Sequence, residues 1–168
     1  MRLDLGRLWA EELPQRVRAA TLFSSGSGMK TIGDIVQFIE RQPDMMRLLD
    51  VTESLALPDC WIGAGFVRNA VWDAMHGKPA VARNDVDVVY FDPADTSAAR
   101  DAAIEATLRE AHPQAQWDVK NQARMHQRTG VAPYLNIEDA IARWPETATA
   151  VAVRRRAGRT ELSLRQRT

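Results

Sequence analysis

Asn84-Asp85-Val86-Asp87-Val88-Val89-Tyr90-Phe91 is the stretch on which the fold turns. Valine, tyrosine and phenylalanine pack well on a pleated surface, so residues 86–91 predict a strand. A strand puts residues two apart on one face. Val86 and Val88 then point into a core, and Asp85 and Asp87 point together the other way. Two carboxylates this close repel by about a kcal/mol or more when partly desolvated. A positive group between them relieves that, and a divalent cation with oxygen ligands is the natural candidate.

Upstream, Cys60-Trp61-Ile62 is a short apolar run ending in Gly63-Ala64-Gly65. Val67, Val71, Ala74 and Met75 then recur at helical spacing, and His76-Gly77 is the expected stop, with Gly77 as a left-handed C′ residue. Earlier still, Ile35, Val36, Phe38 and Ile39 start an apolar stripe at Thr31, which Pro43 divides into two helices. Downstream, Asp92-Pro93 stops the strand, and Asp95 or Thr96 can cap a helix over 97–111. Gln116 to Val119 reads as another strand. Asn136 can cap a further helix, with Glu138 and Asp139 in its first turn. Ala148–Arg154 and Glu161–Leu164 read as two strands around Ala157-Gly158. The order predicts an α/β (α+β) domain with a small mixed sheet flanked by helices.

Residues 1–30 look separable, because Ser24-Ser25-Gly26-Ser27-Gly28 has the composition of a flexible linker. The expected organisation is an extension over 1–30 and one domain over 31–168. At 168 residues and 45% hydrophobic content the chain has the size and composition of a globular domain. One cysteine, Cys60, allows no internal disulfide. No apolar stretch is long enough to span a membrane and no signal core opens the chain. A soluble, cytoplasmic protein is the expectation.

Net charge is zero, but it is unevenly spread. Residues 1–30 hold five basic and three acidic groups, 31–153 eleven and eighteen, and 154–168 six arginines and one glutamate. An acidic body suits a cation and disfavours non-specific nucleic-acid binding, which needs Lys and Arg to displace phosphate counterions. The arginine-rich end reads as a solvated terminus or as a phosphate contact.

Glycines at a strand-to-helix turn let backbone N–H groups approach a phosphate, and the helix N-terminus adds partial positive charge. Gly63, Ala64 and Gly65 can do this, or can simply make a tight turn. They are not a dinucleotide fingerprint, since Arg68 stands where the third glycine belongs. A third carboxylate, Asp118 in Trp117-Asp118-Val119, can share the face of Asp85 and Asp87, or can pair with Lys120 or Arg124. Three carboxylates around one or two Mg²⁺ ions can hold a nucleoside triphosphate and activate a hydroxyl. Arg68 can reach a phosphate or bridge to Asp73 or Asp87. Asn121 and Arg124 share a face if a helix follows the strand, and either orient a nucleotide or belong to a polar surface. His76, His112 and His126 show no zinc spacing. The five tryptophans read as core.

These motifs resemble those of the nucleotidyltransferase superfamily that includes DNA polymerase β and the tRNA CCA-adding enzymes. Ala64 to Asn69, His76-Gly77 and Asn84 to Val88 are similar to the head motif of the CCA-adding group. A smaller set of bacterial proteins, described only as a nucleotidyltransferase family, shares the strings at residues 61–72, 85–92 and 117–126. The resemblance covers roughly residues 35–165. It implies a polymerase β-like nucleotidyltransferase fold, with Gly63 and Gly65 lining a triphosphate, Asp85 and Asp87 binding metal and Asp118 completing the triad. Ala64 stands where the wider superfamily has glycine or serine. Asn69 stands where CCA-adding enzymes have an acid, which argues against that substrate. Relatives continue past the last strand with another helical segment, so a short C-terminus is expected.

The expected function is transfer of a nucleoside monophosphate from a triphosphate to an unidentified hydroxyl, on RNA, protein or a small molecule, with two Mg²⁺ or Mn²⁺ ions. The alternatives are an impaired or truncated paralogue that binds nucleotide and metal, and an aspartate-based phosphohydrolase of the haloacid dehalogenase type. In that last type the apolar strand runs into the first aspartate. Here Ala82-Arg83-Asn84 precede it and the apolar run follows.

Overall fold

The computed structural model describes residues 29–63, 65–79, 85–144 and 151–164. Most of the expected extension over 1–30, Ala64, residues 148–150 of the expected fourth strand and the last four residues lie outside these. The described elements are α1 (Ile32–Glu40), α2 (Pro43–Ser54), β1 (Trp61–Gly63), α3 (Gly65–Met75), β2 (Asp85–Tyr90), α4 (Ala98–Ala111), β3 (Gln116–Asn121), α5 (Gln122–Thr129), α6 (Ile137–Ala142), β4 (Val151–Arg156) and β5 (Arg159–Leu164).

Local chemistry sets the boundaries. Thr31 and Asp34 form a capping box at α1: the Thr31 hydroxyl accepts from the Asp34 N–H at 3.1 Å, and the Asp34 carboxylate accepts from the Thr31 N–H at 2.8 Å. Pro43 opens α2, where a missing N–H costs nothing. Gly77 has φ +63° after α3, and the N–H groups of Gly77 and Lys78 close onto the carbonyls of Ala74 and Asp73. Asn136 caps α6 by accepting from the Asp139 N–H at 2.8 Å. The α4 cap differs from expectation. Ser97 accepts from the Arg100 N–H, while Asp95 accepts from the N–H of Ser97 one turn earlier, so the aspartate shapes the approach and the serine caps.

The five strands form one sheet in the order β3-β2-β1-β4-β5. β2 and β3 are parallel, joined by α4, and every other pair is antiparallel. One face packs Ile62, Val86, Val88, Val119 and Val153 against Ile35, Ile39, Leu48, Leu49, Phe66 and Val67 of the helices. On the other, Trp61, Val89 and Ala152 meet Ile137 and Ile141 of α6. That second cover is partial, and it leaves the starts of β2 and β3 open. Among the described residues no helix is long and apolar enough to cross a membrane.

Candidate active site

β2 alternates as the sequence requires: Val86 and Val88 are buried, Asp85 is exposed and Asp87 half-buried. β3 does the same, with Trp117 and Val119 buried and Asp118 exposed. Parallel register sets Asp87 directly beside Asp118, and Asp85 beside Gln116. Neighbours in register point to the same face, so all three carboxylates stand on the open face of two adjacent strands. Antiparallel pairing then puts Gly63, the last residue of β1, opposite Asp87. The glycine turn therefore reaches the carboxylates because β1 ends where β2 begins. The rule that ligands gather at the carboxyl ends of parallel strands does not describe this site.

Asp87 carries the electrostatic load. Burial pushes its carboxyl above the usual range, Asp118 and then Asp85 add to that, and Lys120 and Arg68 oppose it. Lys120, two residues along β3 on the same face, forms an ion pair with Asp118. This is the pairing the sequence left open for Asp118; its other candidate, Arg124, is engaged elsewhere. Arg68 lies within electrostatic reach of Asp87, and its Nε donates to Asn69 Oδ1 at 3.2 Å. Gly65 opens α3 beneath these two side chains: a Cβ there would stand 3.1 Å from Asn69 Nδ2 and 3.7 Å from an Arg68 terminal nitrogen.

Gly63 has a second neighbour that the sequence did not announce. The Trp144 indole lies on it so closely that a Cβ would meet the ring at 2.7 Å. Trp144 Nε1 in turn donates to Gln122 Oε1 at 3.3 Å. The glycine is thus required by an aromatic ring.

Asn121 and Arg124 do not join the carboxylates. β3 runs on to Asn121, three residues beyond Asp118, and α5 begins there with Asn121 as its cap. Asn121 is fully buried. Its Oδ1 accepts from the N–H groups of Asp92 and Ala123, and its Nδ2 donates to the carbonyls of Asp92 and Asp95. With all four positions filled, the amide has none left for a nucleotide. Arg124 pairs with buried Asp101, which also accepts from the Tyr90 hydroxyl at 2.7 Å and from the Asn121 N–H at 3.2 Å. Sequence reasoning missed Asp101, which sits in an unremarkable helix with no motif around it.

Hard carboxylate oxygens facing one another across two strands, with Asp87 destabilised by its neighbours, are the donor chemistry that suits Mg²⁺ or Mn²⁺. As they stand, though, no three acidic, histidine or cysteine side chains among the described residues are gathered closely enough to enclose an ion. The Lys120 ammonium holds Asp118 instead.

A family model described as nucleotidyltransferase matches residues 50–164. The fold is similar to that of a protein whose NMR structure is described as revealing a CCA-adding enzyme head domain. The two are 37% identical with a TM-score of 0.72, over 82% of this chain and 73% of that one. No curated protein matches the chain. The chain belongs to the nucleotidyltransferase family.

Proposed function

We propose that this member of the nucleotidyltransferase family moves a nucleoside monophosphate from a nucleoside triphosphate to a hydroxyl acceptor. The acceptor oxygen bonds the α-phosphorus, the bond to the bridging oxygen breaks, and pyrophosphate leaves with that electron pair. The observation that carries this reading is the register that sets Asp87 beside Asp118 and opposite Gly63.

Asp85 and Asp87 are the residues to hold divalent metal, and Asp118 is the one to join them and to take the acceptor proton. Mg²⁺ or Mn²⁺, when bound, would neutralise the triphosphate and lower the barrier by several kcal/mol. Loading requires Lys120 to release Asp118, after which its ammonium is free to meet a phosphate. Gly63, Gly65 and the first turn of α3 offer N–H groups to the triphosphate, and Arg68 adds a cation. Ala64, within that turn, belongs to the same proposed cradle.

The test is a panel of α-labelled nucleoside triphosphates with Mn²⁺ or Mg²⁺ and cell extract, run on the native chain and on Asp87→Asn. Label transferred by the first and not the second supports the assignment. Equal transfer by both refutes it. One observation favours a second reading, a binding module without turnover: the Lys120–Asp118 pair stands where the metal should. In that case metal and triphosphate bind together in titration calorimetry, and no acceptor becomes labelled.

A further inference from the structure

A cavity of about 540 Å³ opens at the start of β1, and none of the three carboxylates lines it. It lies where α2 ends, β1 begins and β4 finishes, and Glu53, Asp59, Arg154, Arg155 and Arg156 are among the residues that line it. Its volume falls within the range of about 300–1,000 Å³ usual for small-molecule sites.

The charges there divide into two sets. Arg154 is satisfied by Asp59 at 2.8 Å and Glu161 at 2.6 Å, and it lies over the Trp61 ring at 4.2 Å. Arg155 is satisfied by Asp50 at 2.6 Å, with Glu53 at 3.9 Å. Arg156 and Arg159 are different. They are direct cross-strand partners at the tip of the β4–β5 hairpin, both are exposed, and neither has an acidic partner among the described residues. Like charges directly opposite destabilise a strand pair, so two guanidinium groups remain uncompensated at the hairpin tip, where Arg156 lines the cavity and Arg159 stands beside it in register.

Backbone strain gathers at the same place. Three non-glycine residues among those described have positive φ: Ala56 at +49°, Asp59 at +45° and Ala157 at +49°. The first two line the cavity; the third, with Gly158 at +74°, makes the two-residue turn of the β4–β5 hairpin, where positive φ is the rule. Such residues persist where the surroundings over-determine them, and they concentrate at ligand clamps. Cys60 also lines the cavity, but burial pushes its thiol up to about 12, so it supplies no thiolate there.

We propose that this cavity binds a small phosphate monoester, with the dianion held between Arg156 and Arg159 and the organic part in the cavity against Leu57, Pro58 and Trp61. Two uncompensated cations call for a dianion. Two planar forks match the oxygens of one phosphate, whereas a carboxylate neutralises only one of them. The site is distinct from the proposed triphosphate cradle, because its lining includes Trp61 and Ile62 of β1 but none of Gly63, Gly65, Asp85, Asp87 and Asp118.

The experiment uses the full chain in EDTA, so that metal-dependent triphosphate binding does not contribute. Inorganic phosphate and adenosine 5′-monophosphate are titrated while the arginine Nε–H and tryptophan Nε1–H resonances are followed by NMR. Saturable shifts at Arg156, Arg159 and Trp61, with the monoester binding more tightly than phosphate, are expected. Arg156→Gln and the double variant Arg156→Ala/Arg159→Ala should each weaken binding at least tenfold. The proposal is overturned by shifts that fall instead at Gly63 to Arg68, by variants that bind as the parent does, or by a short single-stranded RNA binding more tightly than the monoester. Should the double variant lose its fold, Arg156→Gln decides the matter alone.

Discussion

Aspartates gather near both ends of the β2–β3 pair, and the two groups are built on opposite principles. At the start of the strands, Asp87 faces Asp118 and Asp85 with only Lys120 and Arg68 to offset them, and its carboxyl is pushed up by burial and by its neighbours. Just past the far end, Asp92 accepts from the Ala94 N–H and from Arg100, and these hold its carboxyl below the ordinary range. Asp101 next to it is buried and accepts from Tyr90, Asn121 and Arg124. One end is a closed hydrogen-bonded network that fixes two parallel strands. The other is left short of positive charge around Asp87. The same residue type is held in a closed network or left under repulsion according to what its neighbours donate.

The largest effect that could break this contrast is on turnover. Asp87→Asn should lower label transfer by about a thousandfold or more, the scale of removing a group that stabilises charge in the transition state. It should leave the melting temperature unchanged or raise it, because a repulsion is relieved. A clear drop in melting temperature would make the two ends alike. Next in size, Asp101→Ala should destabilise the fold by about 3 kcal/mol, measured by urea unfolding, because it strands the Arg124 charge and the Tyr90 hydroxyl in the interior. Arg124 Nε and His126 Nδ1 already lack partners among the described residues, so α5 has little polar bonding in reserve.

A smaller effect sharpens the geometry of the open end. Gly63→Ala should cost about 1–3 kcal/mol through collision with the Trp144 ring, and Gly63→Ala/Trp144→Phe should recover most of it. If the single variant is neutral in urea, the indole does not constrain the turn. The smallest effect is in pH dependence. Asp87 has a raised folded pKa, so it opposes folding while ionised, and that opposition fades as pH falls from the raised value through the ordinary carboxylate range. Asp92 and Asp95 have lowered values, and their contribution is instead lost as pH falls through those values. The difference in stability between the native chain and Asp87→Asn should therefore shift in favour of the native chain on acidification. An unchanged difference would mean that Asp87 is not strained by its neighbours.

What the sequence disclosed and what it hid follow the same division. The alternation of Val86, Asp87 and Val88 is a local pattern, and local patterns predict which face a residue takes. Asp118 could be placed with the pair because Trp117 and Val119 bracket it in the same way. Asn121 and Arg124 sit in a string as specific as the others, yet their roles depend on Asp92, Asp95 and Asp101, twenty or more residues away, which no spacing rule connects to them. The sequence left the helix after β3 conditional for a related reason: its cap is Asn121, which the sequence offered as a site residue. Trp144 was read as core, and nothing in Ala142-Arg143-Trp144 marks a ring that will lie on a glycine of β1.

The central strand is also the shortest. β1 has three residues, and it pairs with β2 along all three but with β4 only at Ile62 and Gly63, whereas β2–β3 and β4–β5 are each joined along six. The sheet is therefore two broad flaps sewn together by a narrow seam. Under tension applied through β3 and β5, the molecule should tear along its midline before either flap frays, and the amides of Ile62 and Gly63 should trade their protons for deuterium sooner than their place in the middle of the domain would suggest.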